Sequence, residues 1–159
     1  LAMNAQVESI VRAGSRRRIG EALVLSLADS FTLAMKTQAF AWNVTGPFSA
    51  AVRPLFQDQY QDLMAAVTDM AIRIRVLGMP APSAFSHFSS LSGIQEEADV
   101  PEWRDMVRAL LDDQQIVSRA CAAVYNTAEL FNDTATLDLM TRRITRHDRN
   151  TWELRALLE

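Results

Sequence analysis

Few residues in this chain have the type and spacing that chemistry needs. The two histidines, His87 and His147, do not follow a glutamate by three residues, the spacing that holds paired metal ions between the helices of a bundle. Packed or solvent-facing histidines are therefore the favoured interpretation. The single cysteine, Cys121, lies among alanines, which indicates a buried structural thiol and excludes an intrachain disulfide. Such cysteine usage is typical of the reducing cytoplasm, where we expect this protein.

Basic residues are concentrated near the start of the chain. Residues 1–20 carry four arginines against one glutamate, a charge of +3, and because the formal total is −3 the remaining residues carry −6. Lysine and arginine gain affinity for nucleic acid by displacing counterions from phosphates, so a short basic arm over residues 1–15 and the arginines after it form a candidate DNA-binding segment. The alternative is a solvated helix start. The candidate DNA-binding residues are Arg12, Arg16, Arg17 and Arg18.

The composition predicts one folded domain. The chain has 159 residues, of which 49% are hydrophobic and 22% charged, and this is sufficient for a buried core. No apolar run reaches the roughly 18 residues of a membrane span, and the start lacks the pattern of an export signal. We therefore expect neither a membrane partner nor export.

The elements that would position these residues are helices, because apolar residues recur at three- and four-residue steps almost throughout. A first helix is predicted from about residue 16 to 44, ending at Thr45-Gly46-Pro47. Its apolar stripe consists of Ile19, Leu23, Leu27, Phe31 and Ala34. A second helix is predicted to end at Gly78, since Pro80 and Pro82 cannot continue it.

The second half of the chain predicts a long connection and two more helices. Residues 79–100 break the helical period and indicate a crossover with a short helix of its own. The third helix is predicted to begin near Pro101 and run to about Thr127, and the fourth to be capped by Asp133 or Thr134. The fold class is therefore all-α, a four-helix bundle whose long crossover carries a short extra helix.

Three blocks of the chain resemble the Dps family of small ferritins. The first includes Trp42-Asn43-Val44-Thr45-Gly46-Pro47, and the others span residues 55–78 and 133–159. The resemblance implies a single ferritin-like domain over residues 16–159 and a homo-oligomeric shell of twelve subunits. It also implies oxidation of ferrous iron with hydrogen peroxide, storage of the ferric mineral and, in many members, DNA binding through basic tails. Both activities protect DNA from hydroxyl radical.

The same resemblance locates the positions of the family's ferroxidase centre, which two subunits build across a two-fold interface. Two histidines and an aspartate come from one subunit, and an aspartate and a glutamate come from its partner. Matching the blocks shows that all five positions have lost the usual ligand. In order along the chain they are Ala41, Arg53, Gln57, Thr68 and Ile72.

These substitutions predict that iron does not bind at the usual centre. The permanent charge of Arg53 repels ferrous iron, and no carboxylate in the set compensates it. Gln57 and Thr68 offer neutral oxygens only, while Ala41 and Ile72 offer no donor. Whether the chain is an enzyme is therefore left open, although the activity of the family is that of a ferroxidase.

Some acidic residues match places where iron passes or is stored in the family. Asp133 and Asp138 correspond to the acidic stretch that lines a three-fold pore, and helix capping is the alternative role for Asp133. Asp58 and Asp62 are candidates for the shell interior, where carboxylates nucleate mineral, or else for a solvated helix face.

Three functions follow from these observations. The first is a shell that has lost its own ferroxidase centre and acts as a cage, as a DNA-associated protein of the nucleoid or as the partner of an iron-competent related subunit. The second is a working mini-ferritin that oxidises iron through other residues. The third is a binding protein whose remodelled interface pocket takes an anion or small ligand through Arg53.

Overall fold

The computed structural model of the chain describes the backbone of residues 2–159 and the side chains of residues 12–159. Within this part the chain forms helices and no strand, so the predicted all-α fold class is confirmed. Four long helices form the bundle and one short helix lies in the crossover between the second and the third. In chain order the helices are α1 Ala2–Asn43, α2 Ser49–Val76, α3 Phe85–Leu91, α4 Trp103–Leu130 and α5 Thr134–Ala156.

Helix α1 is longer than the sequence pattern predicts. It begins at Ala2, whereas the apolar stripe predicted a start near residue 16. The stripe marks only the part of the helix that faces the core, beginning at Ile19, which is buried. No proline precedes Pro47, so nothing in the sequence ends the helix earlier. The predicted boundary between an arm over residues 1–15 and the bundle thus falls inside α1.

The ends of α1 and α2 lie where the glycines predict them. Gly46 and Gly78 both have φ of 92°, a left-handed conformation that costs other residues strain because of their Cβ atom. The amide of Gly78 donates to the carbonyl of Arg75 and closes the last turn of α2. These two turns bring α2 and then the crossover back along α1.

The crossover is fastened to α1 by polar and aromatic contacts. The buried carboxylate of Asp29 accepts hydrogen bonds from Ser92 Oγ at 2.9 Å and from the amide of Gly93 at 2.7 Å. The ring of Phe88 in α3 stacks on Phe31 at a centroid distance of 4.3 Å. These contacts hold the crossover on α1, and a long crossover of this kind is what allows the second and third long helices of a bundle to run parallel.

Each of the last two helices begins at an acidic cap. Glu102 accepts a hydrogen bond from the amide of Arg104, so α4 begins at Trp103, two residues after the predicted start. Asp133 caps α5 as predicted and accepts from the amide of Thr136. No helix in the described residues is both long enough and apolar enough to cross a membrane.

Candidate functional site

Arg53 and Ala41 meet at the C-terminal end of α1. The guanidinium of Arg53 is half-buried, and its Nε donates to the carbonyl of Ala41 at 3.0 Å. Its Nη2 donates to the carbonyl of Val44 at 2.9 Å. The last carbonyls of a helix have no partner within the helix and carry partial negative charge, so a guanidinium satisfies them and complements the helix dipole. Arg53 therefore caps α1 from the first turns of α2.

The other three substituted positions lie on the outer surface of α2. Gln57, Thr68 and Ile72 are exposed, and Ile72 keeps 56% of its accessible surface. The hydroxyl of Thr68 donates to the carbonyl of Met64 in its own helix. Because the helical repeat places Arg53 within roughly 100° of these residues, the four share one face of α2. This face is where a second subunit would have to complete a shared centre.

The chemistry of this set does not fit iron. Ala41 is fully buried and has no donor, and Arg53 presents a cation whose donors bind backbone carbonyls. Within residues 12–159, no group of three or more His, Cys, Asp or Glu side chains is arranged to hold a metal ion. A metal-binding set needs deprotonated oxygen, nitrogen or sulfur ligands, and these positions supply none that is charged.

A groove of about 450 Å³ lies beside these positions, between α1 and the crossover. Trp42, which is 64% exposed, forms part of its wall together with Met35 and Phe85. Lys36 also lines the groove, but its ammonium is paired with Asp113 at 2.8 Å. Arg53 does not line the groove, so an anion bound by Arg53 would not lie in it.

Asp133 and Asp138, the candidate pore residues, have different environments. The carboxylate of Asp133 accepts from Arg73 Nη2 at 2.6 Å and from the hydroxyl of Thr136 at 2.7 Å. Burial alone would raise the pKa of Asp133, but these hydrogen bonds outweigh it and hold the pKa below its usual value. Asp138 is exposed and pairs weakly with Arg142 at 3.4 Å. Its role at a pore stays a prediction, while Asp133 has the capping role that was its alternative.

Asp58 and Asp62, the candidate interior acids, are both paired with arginines of α5. Asp62 accepts from Arg143 Nη1 at 3.0 Å, and Arg146 Nη2 donates to Asp58 at 2.5 Å. The sequence analysis did not identify these partners. The sequence shows only the spacing, two carboxylates four residues apart on α2 and two arginines three residues apart on α5, and this spacing does not indicate that the two pairs meet.

The candidate DNA-binding arginines divide into two pairs. Arg17 forms an ion pair with Glu21 at 2.8 Å, and the guanidinium of Arg18 lies 5.2 Å from the ring centroid of Phe131. Arg12 and Arg16 are exposed. DNA binding by these residues stays a prediction.

The histidines and the cysteine differ sharply in exposure. His87 is exposed in α3, whereas His147 is fully buried in the bundle. Cys121 is buried and lies 3.4 Å from the hydroxyl of Ser26, and burial raises the pKa of its thiol. The prediction of a buried structural thiol is thus confirmed.

The fold and the substituted site define the chain as a ferritin-like four-helix protein, and comparison with known proteins agrees. The family model described as Ferritin-like domain matches residues 20–159. An uncharacterized low temperature-induced protein of Nostoc sp. is 31% identical over 135 residues, covering 84% of this chain and 75% of the relative. DNA protection during starvation protein 2 of Bacillus anthracis is 26% identical over 142 residues, covering 89% of this chain and 97% of the relative.

Solved structures show the same fold. The Dps protein of Vibrio cholerae O1 superposes with a TM-score of 0.89 at 24% identity, covering 92% of each chain. Dps from Bacillus brevis gives a TM-score of 0.88 at 20% identity, covering 92% of this chain and 98% of that one. This chain belongs to the Dps family of ferritin-like proteins.

Proposed function

We propose that this chain is a Dps-type shell subunit of iron and oxidative-stress protection that has no working ferroxidase centre of its own. The observation that carries the proposal is the position of Arg53, where the family has a histidine ligand. Its guanidinium binds the carbonyls of Ala41 and Val44 and so gives the position a structural role. The subunit would serve as a cage, or as the partner of a related subunit that oxidises iron.

Electrostatics support the loss of the centre. A guanidinium stays protonated at any physiological pH, so Arg53 presents a fixed positive charge where ferrous iron would enter. Neither Thr68 nor Ile72 on the same face supplies a carboxylate to offset it. A divalent cation would have to displace this charge and also break the cap of α1.

The state of the candidate interior acids also supports the proposal. Asp58 and Asp62 are neutralised by Arg146 and Arg143 within the same chain. Carboxylates that are already paired attract ferric ions weakly, because their negative charge is compensated at close range. Mineral growth on these residues would be poor even if iron reached them.

The two alternative functions have less support. An anion site at Arg53 would need its donors, yet Nε and Nη2 already donate to backbone carbonyls, so only part of the guanidinium is left for an anion. A working mini-ferritin would need ligands elsewhere, and within one subunit no group of three or more His, Cys, Asp or Glu side chains in residues 12–159 is arranged to hold a metal ion. DNA association is compatible with a shell and is a separate property, and its candidate residues are Arg12, Arg16, Arg17 and Arg18.

The test is iron retention by the assembled protein after feeding ferrous iron with hydrogen peroxide. We expect the unmodified shell to retain no more iron than an albumin control and to consume peroxide no faster. A variant that restores the family's ligands should gain both activities. It carries Ala41→His, Arg53→His, Gln57→Asp, Thr68→Asp and Ile72→Glu.

The control is the single variant Arg53→His, which removes the charge and leaves four positions without their ligands. It should stay inactive, because one imidazole cannot hold iron alone. Iron retention and peroxide consumption by the unmodified shell would overturn the proposal. The assembly state of each sample is measured by light scattering, so that loss of activity is not confused with loss of the shell.

A further inference from the structure

A layer of polar side chains crosses the interior of the bundle at the level of His147. This polar layer consists of Gln59 in α2, Gln114 in α4, and Arg143 and His147 in α5. Gln59, Gln114 and His147 are fully buried, and Arg143 is 6% exposed. His147 Nδ1 lies 2.6 Å from Gln114 Oε1, and Gln114 Nε2 lies 3.5 Å from Gln59 Oε1. The layer thus connects three helices.

The hydrogen bonds of the layer determine the protonation of His147. The amide oxygen of Gln114 only accepts, so Nδ1 carries the proton and donates to it. Nε2 then holds a lone pair, and it lies 3.5 Å from Arg143 Nη2, which only donates. The site is therefore complementary to the neutral imidazole, with a cation placed against its unprotonated nitrogen.

The same arginine fastens α5 to α2. Arg143 donates from Nη1 to Asp62 at 3.0 Å, while its Nη2 faces both Asp62 and His147. Arg146, one turn of α5 away, pairs with Asp58. The position of the Arg143 guanidinium thus depends on the charge of His147 on one side and of Asp62 on the other.

Among the described side chains, the charged groups that flank the polar layer come from all four long helices, and each of them is held in an ion pair. The carboxylates of α2 are paired with the two arginines of α5. The carboxylate of Asp113, next to Gln114 in α4, is paired with the α1 lysine at 2.8 Å. These paired groups are Lys36, Asp58, Asp62, Asp113, Arg143 and Arg146, and the thiol of Cys121 in α4 also lies close enough to Arg143 to interact with its charge.

We propose that the polar layer is an acid-sensitive latch between α5 and α2. Uptake of a proton from solvent at Nε2 of His147 places an imidazolium against the Arg143 guanidinium. The repulsion displaces Arg143 from Asp62, and α5 separates from α2 until water solvates both cations.

The pKa of His147 agrees with this geometry. Burial, followed by the charges of Arg143 and Arg146, lowers the pKa from 6.5 to about 3. The closed state therefore binds a proton less readily than an opened state in which water reaches the imidazole. Closure is fully favoured above about pH 6.5, and below it the opened fraction rises about tenfold for each pH unit. Between pH 7.5 and 5 the expected increase is about 30-fold.

The test is amide hydrogen exchange, read by mass spectrometry on the assembled protein between pH 7.5 and 5. Rates are corrected for the intrinsic pH dependence of exchange, and peptides of α5 are compared with peptides of α1. We expect α5 to lose protection below pH 6.5 while α1 keeps it. His147→Gln should abolish the pH dependence of α5, and His87→Gln is the matched control that should leave it unchanged.

The proposal would be overturned if the amide protection of α5 in the unmodified protein did not change between pH 7.5 and 5. It would also be overturned if α5 lost as much protection in His147→Gln as in the unmodified protein. Should His147→Gln fail to fold, exchange of the imidazole C2 hydrogen in the unmodified protein supplies the answer. His147 should exchange far more slowly than exposed His87, and its rate should rise together with the opening of α5. Exchange of the His147 C2 hydrogen as fast as that of exposed His87, without any opening of α5, would also contradict the proposal.

Discussion

We propose that Arg53 occupies a position where the family has a histidine, and arginine differs from histidine in geometry and charge. Imidazole offers a lone pair to a metal, whereas guanidinium offers only donors and keeps its positive charge. The donors of Arg53 reach two carbonyls at the end of α1, at 3.0 and 2.9 Å. On this proposal, a position that binds metal elsewhere in the family fastens the end of α1 in this chain.

At this residue scale we predict that Arg53→Ala lowers the free energy of unfolding by about 1–2 kcal/mol, because the two carbonyls lose a charged donor. Arg53→Lys should recover less than half of the loss, since an ammonium lacks the planar fork. Chemical denaturation followed by circular dichroism measures both changes. The control is Arg108→Ala, whose exposed pair with Asp105 should contribute less than about 0.5 kcal/mol. Equal stability of Arg53→Ala and the unmodified protein would show that the cap is not stabilising.

Two acidic residues, Asp29 inside α1 and Asp133 at the start of α5, join elements that are distant in the sequence. Asp29 holds the crossover on α1 through Ser92 and Gly93. Asp133 starts α5 and also binds Arg73 of α2. A cap with a partner on another helix therefore sets both where a helix begins and which helix it packs against.

At the element scale we predict that Asp133→Ala lowers the free energy of unfolding by about 2–3 kcal/mol, because α5 loses its cap and Arg73 loses its partner. The free energy of unfolding of Asp133→Asn should lie between those of the unmodified protein and Asp133→Ala, since the amide oxygen still accepts from Thr136. Asp138→Ala is the control and should change stability by less than about 0.5 kcal/mol.

The pH dependence supplies a second readout for Asp133. The pKa of this carboxyl is lowered on folding, so the stabilisation it provides is present above the unfolded value of about 3.9. It is lost as the pH falls through the lower pKa of the folded state. The difference in stability between the unmodified protein and Asp133→Asn should therefore shrink only at strongly acidic pH. A difference that vanished between pH 7 and 5 would contradict this assignment.

Several large apolar side chains are exposed on the surface of the single subunit. Trp42 is 64% exposed, Phe85 75% and Trp152 68%. Exposed apolar surfaces of this kind mark interaction sites. We therefore expect the chain to assemble with copies of itself, in keeping with the shells of its family.

At this scale we predict that Trp42→Glu reduces the mass of the assembly, because a carboxylate would have to lose its water at the interface. Native mass spectrometry or light scattering measures the change, and circular dichroism should show an unchanged helix content. The control is Arg108→Glu, which introduces a carboxylate at an exposed position of α4. This variant should assemble normally. An unaltered mass for Trp42→Glu would show that this surface lies outside the interface.

The positions of the helices follow from local sequence, because helical period, glycine turns and caps depend on residues a few positions apart. The apolar stripe, Gly46, Gly78 and Asp133 are signals of this kind, and each agrees with the structure. The start of α1 was the exception, since a helix that extends past the core has no apolar stripe to mark it.

The partners of the polar side chains, in contrast, depend on the tertiary structure. Arg143 and Asp62 are 81 positions apart, and Arg73 and Asp133 are 60 apart. Their pairing depends on how the packed helices are turned about their axes, and local sequence does not specify this. The resemblance identified Arg53 as a lost ligand, but the turn between α1 and α2 had to close before its guanidinium could reach the carbonyls of Ala41 and Val44.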